Sequence, residues 1–170
     1  MFEVLVFVYE NYWRGDACPE PQQLGRKLTS VGFDADEIQE AITWLEGLTF
    51  ATHGTPLGSA NGPGPTSDII LKETLLPGQS PDSLRVYSVA EQDHLGAECL
   101  GFVSFLESAG VLPPAMREIV MDRAMAAPGD PVSLDDLKII VLMVYWSFGT
   151  EPDALVLDEL CDDASDRLAH

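Results

Sequence analysis

Basic residues are scarce in this chain of 170 residues: six Arg and three Lys stand against 28 Asp and Glu, for a formal net charge of −19. Such an excess repels polyanions, which disfavours nucleic acid and anionic membrane as generic electrostatic partners. The scarcity is complete over residues 33–48, FDADEIQEAITWLEGL, where Asp34, Asp36, Glu37, Glu40 and Glu46 occur without one Lys or Arg. That segment follows the clearest helix-turn-helix cue in the chain, yet a helix in the major groove meets about one phosphate charge per 1.7 Å of duplex. An acidic helix is repelled there, so the motif points to a structural or protein-binding role.

Long apolar runs are missing as well. The run Ile139–Phe148 is about half of the ~20 residues that span a bilayer, and the opening MFEVLVFVYENYW has no basic n-region. A soluble cytoplasmic protein with no membrane segment is expected. Cysteine is limited to Cys18, Cys99 and Cys161, widely spaced and without a CxxC, which argues against a disulfide framework or a zinc knuckle and for reduced thiols. No GxxxxGK[ST] phosphate loop occurs, and no Ser has a nucleophile-elbow context.

What is present is core material, with 46% hydrophobic residues, enough for one compact domain or two small ones. Phe2, Leu5, Val6, Tyr9 and Trp13 fall at helical spacing, although the run VLVFV would also suit a buried strand; helix is favoured because the segment is about 12 residues long and Gly15 stands where a helix would end. Val4, Phe7, Val8 and Tyr12 occupy its opposite side, so it should be covered nearly all round. A second helix over about residues 20–30 presents Leu24, Leu28 and then Val31 to a core and ends at a left-handed Gly32. The third starts at Asp34, with Glu37 expected to return to the Asp34 N–H and Phe33 to staple onto Ile38; Ile38, Ala41, Ile42, Leu45 and Leu48 form its buried stripe.

Between Gly54 and Ser67 seven of fourteen residues are Gly or Pro, which breaks helix and disfavours paired strand. The short apolar runs Ile69–Leu76 and Leu84–Tyr87 beyond it could pair as a wing. The second half reads as helices. Ser88 and Glu91 form a capping box for one bearing Leu95, Cys99, Phe102, Val103 and Leu106 up to Gly110. Pro113 and Pro114 open the next, ended by PGDP at 128–131. Ser133 and Asp136 cap a helix with Val132 stapled to Leu137; this helix has no polar side between Lys138 and Ser147, which suits the centre of a bundle or a subunit interface. Thr150 and Asp153 could cap a final helix, acidic and sparsely apolar. The expected class is therefore mainly α: a helix-turn-helix-like, three-helix module over 1–48, a Gly/Pro-rich linker or wing over 49–83, and a helical bundle with an acidic C-terminal helix over 84–170.

MFEVLVFVYENY, LTSVGFDADEIQEAITWLEGL, RVYS with the acidic helix after it, GFVSFLESAGVL and MREIVMDRAM with SLDDLKIIVLMV resemble, in that order, the Smg protein family of bacteria. The resemblance covers most of residues 1–48 and 84–148; residues 51–68 are richer in Gly and Pro than the family pattern. It implies a helical protein of the bacterial cytoplasm and carries over no catalytic residue or cofactor.

Chemistry-bearing residues are few. His94 and Cys99, five apart on one helix, point about 140° away from each other. Packing is thus the favoured reading for both, over a metal or nucleophilic role. Paired carboxylates such as Asp135/Asp136 and Asp162/Asp163 read as caps and solvated faces. No catalytic, metal or cofactor-binding residue is therefore assigned, and no cofactor is expected. Trp13, Trp44 and Trp146 sit beside or at the ends of their stripes and are the candidate partner-binding residues, with burial in the core as the favoured alternative for Trp44 and Trp146. The leading expectation is a non-enzymatic adaptor that binds a protein; the tail 151–168, with seven acids against Arg167, would suit a basic partner, and a general solubility adaptation explains that charge too. The rivals are a nucleic-acid regulator using Arg26, Lys27 and Arg85, and a small-ligand or enzyme site between the modules.

Overall fold

A computed structural model describes residues 1–12, 20–53 and 85–150, and among them it forms six helices and no strand. They are α1 (Phe2–Tyr12), α2 (Pro21–Val31), α3 (Ala35–His53), α4 (Val89–Ser108), α5 (Pro114–Met125) and α6 (Leu134–Ser147). The mainly helical class is as expected. None of these helices is long and apolar enough to cross a membrane.

The two segments with most strand character in their composition, FEVLVFVY and KIIVLMVYW, are both helical and pack against each other as α1 and α6. β-Branched residues lower helix propensity only by tenths of a kcal/mol each. Burying a large apolar side chain returns about 1.5–3 kcal/mol, so tertiary contact outweighs local preference. Every residue of α6 from Leu137 to Tyr145 is buried, because α1, α3, α4 and α5 surround it. The expected bundle centre is therefore observed, and it includes Lys138, whose ammonium lies 5.9 Å over the Phe102 ring.

Helix starts and stops follow the local signals. Gly32 ends α2 at φ 111° and donates to the carbonyls of Leu28 and Thr29, a conformation that would strain any residue with a Cβ. Ser88 and Glu91 make the full capping box of α4, and Ser133 accepts from the Asp136 N–H at the start of α6. At α3 the outcome differs: the Glu37 carboxylate takes the Met1 ammonium at 3.3 Å, and Phe33 meets Phe7 of α1 edge-on with ring centroids 5.7 Å apart. Phe7 on α1 and Met1 just before it are both far away in sequence, which local spacing does not reveal.

α3 continues through residues 49–53, which the sequence placed in the linker. Residues 54–84, including most of the candidate wing, lie outside the described residues, as does the expected acidic helix after Thr150. α2 packs on α3 across the Gly32 turn, α1 on both α3 and α6, and α3 on α5 and α6. Buried residues from both sides of the Gly/Pro-rich stretch join one apolar cluster, running from Val4, Leu28 and Leu48 to Leu106, Val120 and Ile140.

α4 bends where a straight helix was expected. Gly96 adopts φ 70° and ψ 170°, a region open to glycine alone, and divides the helix into two pieces. The side chains of His94 and Cys99 still serve different partners, the imidazole the Ala124 carbonyl and the thiol the Val132 carbonyl. Val132 is held from both sides of the bend, its N–H donating to the backbone carbonyl of His94 at 2.8 Å and its carbonyl accepting from the Cys99 thiol at 3.4 Å. Both clamp the segment between α5 and α6.

Candidate functional site

Three side-chain arrangements stand out, and the first is a network of ions. Arg117 of α5 is buried, 2% exposed, and its guanidinium donates to Glu107 at the end of α4 and to Glu118 at 2.9 Å. Arg85 shares Glu118, with Nε 2.9 Å from Oε1, and reaches Glu91 at 2.8 Å while lying 4.9 Å over the Tyr87 ring. Burial opposes the Arg85 charge, but hydrogen bonds and attraction from Glu118 and Glu91 outweigh it and hold its pKa above the ordinary value. Glu91 is held below the usual carboxylate range, first by the hydrogen bond from Arg85 and then by the backbone N–H of Ser88. Arg85, a candidate nucleic-acid contact in the sequence, thus has its polar face turned to acids of its own chain. The network joins α4, α5 and the segment that precedes α4, and has the character of a structural clasp.

The second arrangement is at the end of α5. A helix leaves its last carbonyls without intrahelical partners. Here Asp122 accepts from the Ala126 N–H, Ala124 from the Ala127 N–H and from His94 Nε2 at 3.2 Å, and the carbonyl between them, Arg123, from Trp44 Nε1 at 3.0 Å. α3 and α4 therefore cap α5 with an indole and an imidazole. His94 Nδ1 is 4.0 Å from Asp130 on the following turn.

Trp44 is accordingly core: it is 4% exposed, and its polar edge is spent on the Arg123 carbonyl. Trp146 is half-buried and packs against the main cluster, and Trp13 lies outside the described residues. Cys99 is 1% exposed, and burial pushes its thiol pKa up, with Glu98 and Asp136 adding to the effect, which is the opposite of an activated nucleophile. Burial likewise raises the Tyr145 phenol, which donates to the Val111 carbonyl. His53 at the end of α3 is exposed and bonds the Thr49 carbonyl. Among the described residues no group of three or more His, Cys, Asp or Glu could hold a metal ion.

The third arrangement is the surface of α3. Ile38, Ala41, Trp44, Leu45 and Leu48 face the core, while Asp36, Gln39, Glu40, Thr43 and Glu46 are exposed along the other side. Shallow grooves run along both flanks of this ridge, and Gln39 borders each. Toward α5 the groove encloses about 700 Å³; Met1, Trp44, Ala126, Ala127 and Pro128 form its apolar floor, and Asp36, Glu40, Thr43 and Arg123 its rim. Toward α2 a groove of about 670 Å³ has Pro21, Gly25, Ile38 and Ile42 below, and Glu20 and Glu46 above. Gly47 permits the close approach of α5: a Cβ there would come within 1.9 Å of the Arg123 guanidinium.

The acidity of α3 was legible in the sequence, but the grooves and the capping of α5 were not. Arg117 was missed as a buried ion because its spacing beside Met116 and Val120 looks like that of any charge at the edge of a helical stripe.

A model of the family described as "Protein of unknown function (DUF494)" matches residues 1–170. The chain is 58% identical to the protein Smg homolog of Leptothrix cholodnii and 55% identical to that of Methylibium petroleiphilum, each alignment covering the full length of both chains. It is 43% identical over 171 residues to the protein Smg homolog of Bordetella pertussis, again over both whole chains. No solved structure matches it.

Proposed function

Since the chain belongs to the DUF494 family of Smg homologues, we propose that it is a non-enzymatic adaptor of the cytoplasm that binds another protein through the exposed ridge of α3. The single observation behind this reading is the two-faced construction of α3. One side anchors the core through Trp44 and Leu48, and the other stands between two grooves whose floors are apolar and whose rims are polar. Peptide-binding surfaces combine these features: apolar area supplies affinity and the polar rim sets register. Trp44 serves the site from below, by fixing the end of α5 against α3 and so shaping the groove wall.

The test is a photo-crosslinking amino acid placed at Gln39 and at Thr43, with Ser104 on the exposed side of α4 as the control. Activation in bacterial cells expressing the protein should join positions 39 and 43 to one discrete protein, whose linked segment mass spectrometry then identifies. The reading fails if these positions give no protein adduct, or if Ser104 yields the same adducts.

A further inference from the structure

Resting on the reading of α3 as the docking ridge, we infer that the groove between α3 and the end of α5 receives a cationic side chain of the partner, an arginine or lysine carried on an otherwise apolar segment. Asp36 and Glu40 stand one helical turn apart on the same exposed face and form the rim. Neither takes part in an ion pair among the described residues. α5 terminates at Met125, and Ala126, Ala127 and Pro128 just after it belong to the apolar floor of the groove. Because the carbonyls of Asp122, Arg123 and Ala124 already accept hydrogen bonds, the negative potential of this space comes from the two carboxylates.

Two cations belong to residues that line the groove, the Met1 ammonium, paired with Glu37 at 3.3 Å, and Arg123, and neither reverses that sign. Arg123 places Nε and Nη2 2.9 and 2.7 Å from the Asp122 carboxylate, and its Nη1 lies down over Gly47. Its charge is offset by its neighbour. The apolar floor formed by Trp44, Ala127 and Pro128 separates this site from a merely solvated acidic face, because it covers the aliphatic stem of an arginine or lysine and the apolar residues beside it. An acidic segment or a nucleic-acid backbone meets repulsion in the same place.

The probe is an end-blocked peptide alternating leucine with arginine, compared by calorimetry with the same peptide carrying citrulline in place of arginine. Citrulline keeps the shape and removes the charge. The protein is used as the full chain in three forms: native, D36N/E40Q, and D93N/E98Q, which removes the same charge from the exposed side of α4. The arginine peptide should bind the native chain, lose roughly five- to tenfold in affinity on D36N/E40Q, and bind D93N/E98Q as it binds the native chain. Binding should weaken with added salt, and the citrulline peptide should bind less tightly and be indifferent to D36N/E40Q. Equal losses in the two variants would reduce the effect to general attraction by an acidic chain and overturn the inference, as would equal binding of the two peptides or no binding of the arginine peptide. A crosslinked partner segment without arginine or lysine removes the cationic seat and leaves the docking ridge standing; absence of any adduct at positions 39 and 43 removes both.

Discussion

Replacing Trp44 with Phe tests whether this indole is structural, by separating its polar edge from its bulk. The ring is buried, and its N–H is the partner that the structure supplies to the Arg123 carbonyl, one of the exposed ends of α5. Loss of that hydrogen bond costs about 1 kcal/mol, and the carbonyl stands close enough to the groove for water to limit the penalty. The smaller ring forfeits a further 1–2 kcal/mol or so of packing, whereas Trp44→Ala should cost roughly 3–5 kcal/mol. At roughly 2–4 °C per kcal/mol for a chain of this size, W44F should melt about 5–10 °C below the native protein. Urea unfolding followed by far-ultraviolet circular dichroism gives the free energy without relying on fluorescence, to which Trp13 and Trp146 also contribute. The acceptor is backbone, so the cost should persist largely unchanged when Arg123 is replaced by Ala. A W44F stability within about 0.5 kcal/mol of the native value would refute the assignment of Trp44 as a cap for α5.

Other perturbations give equally direct readings. Arg117→Ala removes a buried guanidinium from between Glu107 and Glu118 and should destabilise by about 3 kcal/mol in urea unfolding, with part of the loss due to its aliphatic stem. Gly96→Ala forces a side chain into φ 70°, ψ 170° and should cost roughly 1–3 kcal/mol, measured the same way; a neutral outcome would mean that α4 can straighten. Glu91 has a lowered pKa in the folded state, so its stabilisation is complete above its unfolded pKa and is lost as the pH falls through the folded one. Native protein should therefore lose more stability than Glu91→Gln between neutral and strongly acidic pH, as read from denaturant midpoints.

The residues that cap and punctuate the helices were readable because their partners lie within one turn. Ser88 with Glu91, Ser133 with Asp136 and the left-handed Gly32 act over three or four residues, a distance at which spacing and chemistry suffice. The wholly apolar stretch of α6 likewise announced its central place, since only a helix surrounded by others can bury every side. Prediction of the site itself went no further than its sign. Asp36, Glu40 and Glu46 were visibly an acidic face, but the depth beside it comes from α2 and α5, which chain order does not position.

Amino-acid sequence alone determined helical class, the capped starts of α4 and α6 and the acidity of α3, all of which depend on composition or on neighbours a few residues apart. Tertiary structure decided whom the ambivalent groups would serve. Trp44 and His94 bond carbonyls of α5, Cys99 bonds the Val132 carbonyl across a bend that Gly96 allows, and Arg117 enters the interior because Glu107 is waiting there. A buried donor or charge is tolerated only with a partner, and in this fold at least one partner of each stands outside its own helix, so their pairing is fixed by packing rather than by local pattern.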